Sequence, residues 1–485
     1  MRREENAHVQ REWRRAMSQQ KPDPARPRPR RATTQSKTTS GTTPKPQEKI
    51  SAQPAPDDRE GWKAYWEERQ QPWRTEPEID AQRQEELARR RAIVPDIEKG
   101  IYPFRGMKLT RADIEWLLAT HENGRGPVDW SDESQRGRKG LDLRGADLCQ
   151  EDLTGLPLAR MHGGLKWENF PVDTAERSMA AIRMEKAYLA MTQLQGAELS
   201  GAQLEGAVLR EARLEEADLS GARLGGANLG YARLEEADLS GAQLERTNLW
   251  GARLDGAVLD EAIFASPQGI GPRLVDVRWG DANLAAVDWS QVKMLGDDNL
   301  AQQKEDQIGV LKERKLRLDT YYRIAVRANR QLVVALQAQG LNEEAARFAY
   351  RANVLQRKVL WFQMIEPQNT SLRQRGRKLG AWVFSHFLNL VAGYGYRPER
   401  SFLAYLLVIF SFMGLYLLTS HITTPHLRWD EALVLSLSSF HGRGFFPQTI
   451  TLGDPYARLA VTEAVLGLFI EISFIATFTQ RFLGE

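Results

Sequence analysis

The sequence predicts a multidomain chain: a stacked coil turning a corner every five residues, then an α-helical hairpin, then a membrane domain with two spans. Three observations predict it. Leucine recurs every fifth residue from Leu199 to Leu259, the run ending on Phe264. "RIAVRANRQLVVALQAQGLNEEAARFAYRANVL" carries helical apolar spacing on both sides of a glycine. "FLAYLLVIFSFMGLYLLTS" (402–420) is nineteen residues without a charge, long enough to cross hydrocarbon.

The bulk numbers set limits. A chain of 485 residues accommodates three or more domains. One cysteine, Cys149, excludes an internal disulfide framework and a cysteine-based zinc site. The seven histidines include no pair at helical metal-ligand spacing. Net charge is only +3, but it is uneven. Residues 1–50 hold 13 Lys/Arg against 5 Asp/Glu, and residues 303–400 hold 18 against 8. No apolar h-region opens the chain, so no cleavable signal peptide is expected.

Residues 1–60 are rich in Pro, Arg and Thr and too poor in large apolar residues to offset the entropy of ordering, so a disordered basic tail is expected. Its charge suits anionic lipid headgroups, nucleic acid or, most plainly, a solvated cytosolic tail. Residues 61–140 form a charged helical lead-in. Within it "LTRADIEWLLATH" spaces Leu109, Ile114, Leu117 and Leu118 on one helical face.

A period of five fits neither a helix nor a flat strand. Leucines on a helix at that spacing would spiral around its surface. A coil with a corner every five residues instead places every Leu equivalently. Alanine, or Thr247 once, stands two positions before each, so the large and the small residue point inward together. Each rung buries little alone, and stacking supplies the core. Leu189 and Leu194 extend the phase backwards. Leu274, Trp279, Leu284 and Trp289 extend it forwards after "SPQGIGP". The block 141–160 is out of phase, and an insertion near 161–183 separates it from the main run. The coil domain is therefore 141–291.

These fourteen uninterrupted units resemble the pentapeptide-repeat family, A-[D/N]-L-x-x. That resemblance implies a right-handed quadrilateral β-helix. It also implies a rigid rod for binding a protein partner. Some relatives mimic DNA, which wants a strongly acidic rod. Residues 182–266 carry 14 acids against 8 bases, with Arg213, Arg223, Arg233 and Arg253 on the same lattice. Nucleic-acid mimicry is therefore not expected.

Residues 300–372 contain the hairpin. Ala325, Ala328, Leu332 and Leu336 line its first helix, Gly340 ends it, and Asn342 can cap the second, where Ala345, Phe348 and Ala352 continue the pattern. The pair is similar to a single tetratricopeptide unit, and a connector role is expected ahead of a peptide receptor.

Residues 373–485 form the membrane domain. "LGAWVFSHFLNLVAGYG" (379–395) follows a basic cluster and suits an interfacial helix. The spans are 402–420 and 457–482. Arg373, Arg375, Arg377, Lys378, Arg397 and Arg400 precede the first, and Arg481 follows near the end of the second. The positive-inside rule then gives a two-pass plasma-membrane protein with both termini cytoplasmic. Between the spans, 429–440 can form a short helix with Asp430 and Glu431 at its N-terminus.

A span, a short helix, a Gly-x-Gly turn and a second span resembles a two-transmembrane potassium-channel pore. The resemblance implies a homotetramer and a filter. That family's Thr-x-Gly-Tyr-Gly matches Ser438, Ser439, Phe440, His441, Gly442, Arg443 and Gly444 with one residue extra and Arg443 in the tyrosine's place. Four arginines near one axis would repel cations unless each is paired, and Glu463 is a candidate partner. Glu463, Gly467 and Glu471 fall at i, i+4 and i+8, on roughly one face. Gly467 stands where such pores have a hinge glycine. His441 is either a hydrogen-bonded loop residue or a pH sensor at the pore mouth. The residues leave open ion transport with an atypical filter and a non-conducting membrane-tethered scaffold or sensor. No nucleotide loop, metal cluster or nucleophile elbow is present in the sequence, so neither enzyme activity nor a cofactor is expected.

Overall fold

The computed structural model describes residues 53–97, 99–165, 179–309, 318–365, 372–396, 398–422, 426–442 and 453–482. Most of the tail, the core of the insertion (166–178), Arg443 and Gly444 lie outside the described residues.

The N-terminal lead-in holds α1 (Arg59–Glu67), α2 (Ala81–Arg91) and α3 (Arg111–Ala119). Thr110 starts α3 with a reciprocal capping box to Asp113. Leu109, Ile114, Leu117 and Leu118 are buried, as the spacing predicts, and join the core of the rod behind them. Leu109 N–H donates to the Asp147 carbonyl at 3.0 Å, and Asp147 N–H donates to that of Met107 at 2.9 Å. The lead-in therefore closes one end of the rod.

The rod is a ladder of single-residue parallel bridges between positions 20 apart, four units of five per coil. Gln203 bridges Arg223, Arg223 bridges Gln243, and Gln243 bridges Ile263. Among the described residues, no face extends into a longer strand. One unit shows the construction. Gln243 N–H donates to the Ala222 carbonyl at 2.9 Å, and its own carbonyl accepts from Leu224 N–H at 3.0 Å. Ala222 N–H donates back to the Leu219 carbonyl at 2.9 Å, closing a turn with Gly221 at φ +63°. A positive φ at the third turn residue defines a type II turn, and repeating it makes every corner equivalent. Glycine is the low-cost residue there, yet Glu211, Glu216 and Glu236 hold the same conformation near +59°.

The inward Leu and Ala positions are essentially fully buried along the run. Thr247 breaks the alanine pattern without leaving a stranded hydroxyl, because its Oγ1 donates to the Leu224 carbonyl at 2.9 Å. The out-of-phase block is also explained. Asp142 bridges His162 at the normal spacing of 20, whereas Asp147 bridges Arg183 at 36. The insertion is thus sixteen residues long, three units and one residue over, so the period slips by one while the stack continues. Later, Asn248 bridges Arg273 at 25, an insertion of one whole unit, and the phase is kept.

Past the rod come α4 (Gly296–Gly309), α5 (Leu318–Ala338) and α6 (Asn342–Ile365). The predicted face of α5 is buried, and Gly340 has φ +76° between the two hairpin helices. The hairpin does more than link the rod to the helices that follow it. Ala328, Leu332, Leu336, Ala345 and Phe348 belong to the same core as Leu284 and Trp289. The hairpin is the second cap of the rod, which an open coil edge requires.

The C-terminal helices are α7 (Leu372–Ala392), α8 (Pro398–Ser420), α9 (Trp429–Phe440) and α10 (Pro455–Phe482). α9 spans the predicted residues, and the Glu431 carboxylate accepts from Arg428 N–H at 2.8 Å. α7 starts earlier than the apolar stretch alone predicts and takes in the basic cluster. Among the described residues one helix, Glu399–Ser420, is long and apolar enough to cross a membrane; the expectation of two such spans is met by one.

Candidate functional site

Two sets of side chains stand out, one in the C-terminal helices and one where the rod meets its hairpin.

The first centres on α10. Glu463 is fully buried and accepts from the Tyr416 hydroxyl on α8 at 2.9 Å and the Ser436 hydroxyl on α9 at 2.5 Å. One turn on, Gly467 lies under the end of α9: a Cβ there would sit 2.1 Å from the Phe440 carbonyl oxygen. One further turn on, Glu471 approaches His441 Nε2 at 3.5 Å. The three residues predicted on one face do share it, and that face holds α9. Glycine is required because the two helices meet backbone to backbone.

The filter-like stretch divides. Ser438, Ser439 and Phe440 form the last turn of α9, and the Ser438 hydroxyl donates to the Leu435 carbonyl at 3.0 Å. Gly442, at φ +65°, donates its N–H to the Ser439 carbonyl at 2.9 Å, so that carbonyl is engaged in ending the helix. Phe440 is buried against Val391, Ile409 and Ile470, and Tyr405 meets its ring edge-on at 4.9 Å. His441 Nδ1 lies 2.9 Å from the Leu437 carbonyl. The described partners of Glu463 are the two hydroxyls, on helices that sequence spacing alone does not bring together.

The second set was not legible in the sequence. Gln331 and Gln339, two turns apart on α5, act as substitute coil edges. Gln331 accepts from Asp276 N–H and donates to the Asp276 carboxylate, both at 2.9 Å. Gln339 accepts from Leu284 N–H and donates to the Ala282 carbonyl, both at 2.8 Å. Arg347 donates to the carbonyls of Trp289, Ser290 and Val292 at 3.2–3.3 Å. Beneath them lie two buried carboxylates at the start of α4. Asp297 accepts from Leu274 N–H at 2.8 Å and pairs with Arg273 at 3.4 Å. Asp298 accepts from Asn329 at 2.7 Å and Arg351 at 2.8 Å. Burial raises both, Asp298 to about 6, with the neighbouring guanidiniums opposing the rise.

On the rod surface Arg213, Arg233, Arg253 and Arg278 occupy one face, 20 or 25 residues apart. Glu215 pairs with Arg213 and Arg233, and Glu235 with Arg233 and Arg253, at 2.9–3.6 Å. Arg223 bridges Gln203 and Gln243 instead, so it stands on a different face from that line.

A four-sided solenoid with five-residue units and helical caps defines the class of protein. The family model described as Pentapeptide repeats matches residues 187–226 and 222–260, and through this domain the chain belongs to the pentapeptide-repeat family. Similar solved structures include Rfr23, a pentapeptide repeat protein from the cyanobacterium Cyanothece 51142, at 30% identity over 31% of this chain and 90% of that one, TM-score 0.19. HetL of Nostoc sp. strain PCC 7120, a pentapeptide repeat protein involved in heterocyst differentiation regulation, shares 24% identity over 31% and 89%, TM-score 0.15. Full-length QnrB1, a plasmid-mediated fluoroquinolone resistance protein, shares 17% over 36% and 93%, TM-score 0.14. No curated protein matches the chain.

Proposed function

We propose that the protein is a membrane-tethered scaffold: the capped rod is a cytosolic interaction surface, and α7–α10 are its anchor in the plasma membrane. One observation carries the reading. Helix α8 turns Phe402, Leu403, Leu407 and Phe410 outward, away from the protein's own core, over a length sufficient to span hydrocarbon. α10 supports a second crossing, because Glu463 is hydrogen-bonded inside the helix group and Glu471 faces His441. Exposed Leu379, Val383 and Phe384 on α7, beside Arg377 and Lys378, suit the inner interface and its anionic lipid. With two crossings, the basic approach would keep both termini in the cytoplasm. The ion-paired arginine face supports a protein partner over nucleic-acid mimicry.

Alkaline carbonate treatment of membranes from cells expressing the full chain tests the anchor. Retention in the pellet is expected, and release into the supernatant would refute it.

A second reading, a tetrameric ion-transport module, is favoured by the seating of α9 on Gly467 between the two long helices. Its test is ion flux in liposomes with the wild type beside Arg443→Ala and Arg443→Tyr. Flux in any of the three supports a pore; no flux in all three leaves the anchor.

A further inference from the structure

A shallow trench runs along the outer face of α5, bordered by Val277 of the last rod units and Gln356 of α6. Two hollows of about 700 and 530 Å³ make it up, and both are lined by Ala335 and Ala338. Arg323, Arg327 and Arg330 stand at one end, and Gly280, Asp281 and Asn283 at the other. The walls are fixed, because Gln331 and Gln339 fasten the helix to the rod by two hydrogen bonds each. A preformed cleft avoids the ordering cost of forming one on binding.

The trench contains features that the fold does not use. Val334 is 67% exposed midway along it, a β-branched apolar side chain in water on a helix surface. Arg323 pairs with Asp319 and Arg327 with Asp276, while Arg330 has no ion pair among the described residues. Asp276 is already occupied by Arg327 and Gln331. Positive charge at one end, an aliphatic contact in the middle and a small-residue floor beyond it are complementary to a peptide of one polarity. From Arg323 to Ala338 α5 rises about 22 Å, the length of roughly seven extended residues.

We propose that this trench binds an extended acidic peptide segment of a partner protein, with carboxylates at the Arg330 end and an aliphatic side chain on Val334. The proposal names the partner class of the scaffold and rests on that reading, but not on the membrane anchor, whose carbonate test is separate. Asp281 at the far end would repel an anionic lipid surface, so a peptide with its acids at one end is favoured.

The test is selection from a displayed random dodecapeptide library on the full chain in detergent, with Arg330→Glu/Val334→Glu and Arg330→Ala as parallel targets. Both positions are exposed, and an unchanged melting profile verifies folding. The proposal expects sequences enriched on wild type to carry at least two acids next to an aliphatic residue. Synthesised peptides should then bind the double variant about tenfold more weakly, or about 1.4 kcal/mol, with Arg330→Ala intermediate. An enriched set without acids, equal binding to all three targets, or no set separating wild type from the double variant would overturn it. So would Arg330-dependent binding of anionic vesicles with no peptide selected, which would assign the trench to lipid.

Discussion

Leu229 and Leu407 are the same residue in opposite situations. Leu229 is fully buried at the centre of the rod, one of a column of identical side chains; Leu407 is 67% exposed on α8. The rod completes its own core, coil on coil. The helical module completes its polar interior, around Glu463, but leaves its apolar surface facing outward. Apolar residues in the rod are satisfied by the chain, and those of α8 by surroundings that the account assigns to lipid.

Four measurements press on this contrast. The largest effect is expected for Leu229→Ala, which removes a side chain that close neighbours cannot collapse to replace. A loss of about 3 kcal/mol in denaturant unfolding is expected, against a change within about 0.5 kcal/mol for Leu407→Ala. Equal effects would erase the distinction between the regions.

Gly467→Ala comes next. The new Cβ meets the Phe440 carbonyl, so α9 must move from α10, at a cost of about 1–3 kcal/mol. The melting transition of the helical module should fall while that of the rod stays put.

The third concerns the joint between rod and hairpin. Asp298 is raised by burial from 3.8 to about 6 in the folded chain. Between those values the native state binds more protons than the unfolded one, so its contribution to stability falls as pH rises from about 4 to 6. The melting temperature of wild type relative to Asp298→Asn should drop across that window. A pH-independent difference would mean that folding leaves the titration of Asp298 unchanged.

The smallest effect is at a rod corner. Glu216 holds φ +59°, and Glu216→Gly relieves that conformation. A gain of about 0.5–1 kcal/mol is expected, visible as a small rise in the rod's midpoint.

The same contrast explains what the sequence disclosed. The rod was legible because every unit repeats one local rule: Leu199, Leu224 and Leu254 each face inward for the same reason. The phase slip at 141–160 needed only the length of the insertion. The hairpin's helices were legible from Ala328, Leu332 and Phe348, but its capping role was not. Gln331, Gln339 and Arg347 bind rod backbone about 55 residues away, and a glutamine reaching a coil edge has no local signature. In the C-terminal module the shared face of Glu463, Gly467 and Glu471 followed from helical spacing. What that face touches did not, since Ser436 and Tyr416 meet Glu463 only through helix packing.

If α8 crosses a membrane, two comparably exposed apolar surfaces of this chain face different solvents. Leu407 and Tyr188, 67% and 54% exposed, represent them. The most direct measurement replaces Cys149 with serine, places a spin label at Leu407→Cys or Tyr188→Cys in the full chain in lipid nanodiscs, and compares relaxation by oxygen and by a water-soluble nickel chelate. Oxygen should dominate at position 407 and nickel at position 188. Nickel dominating at both would contradict it.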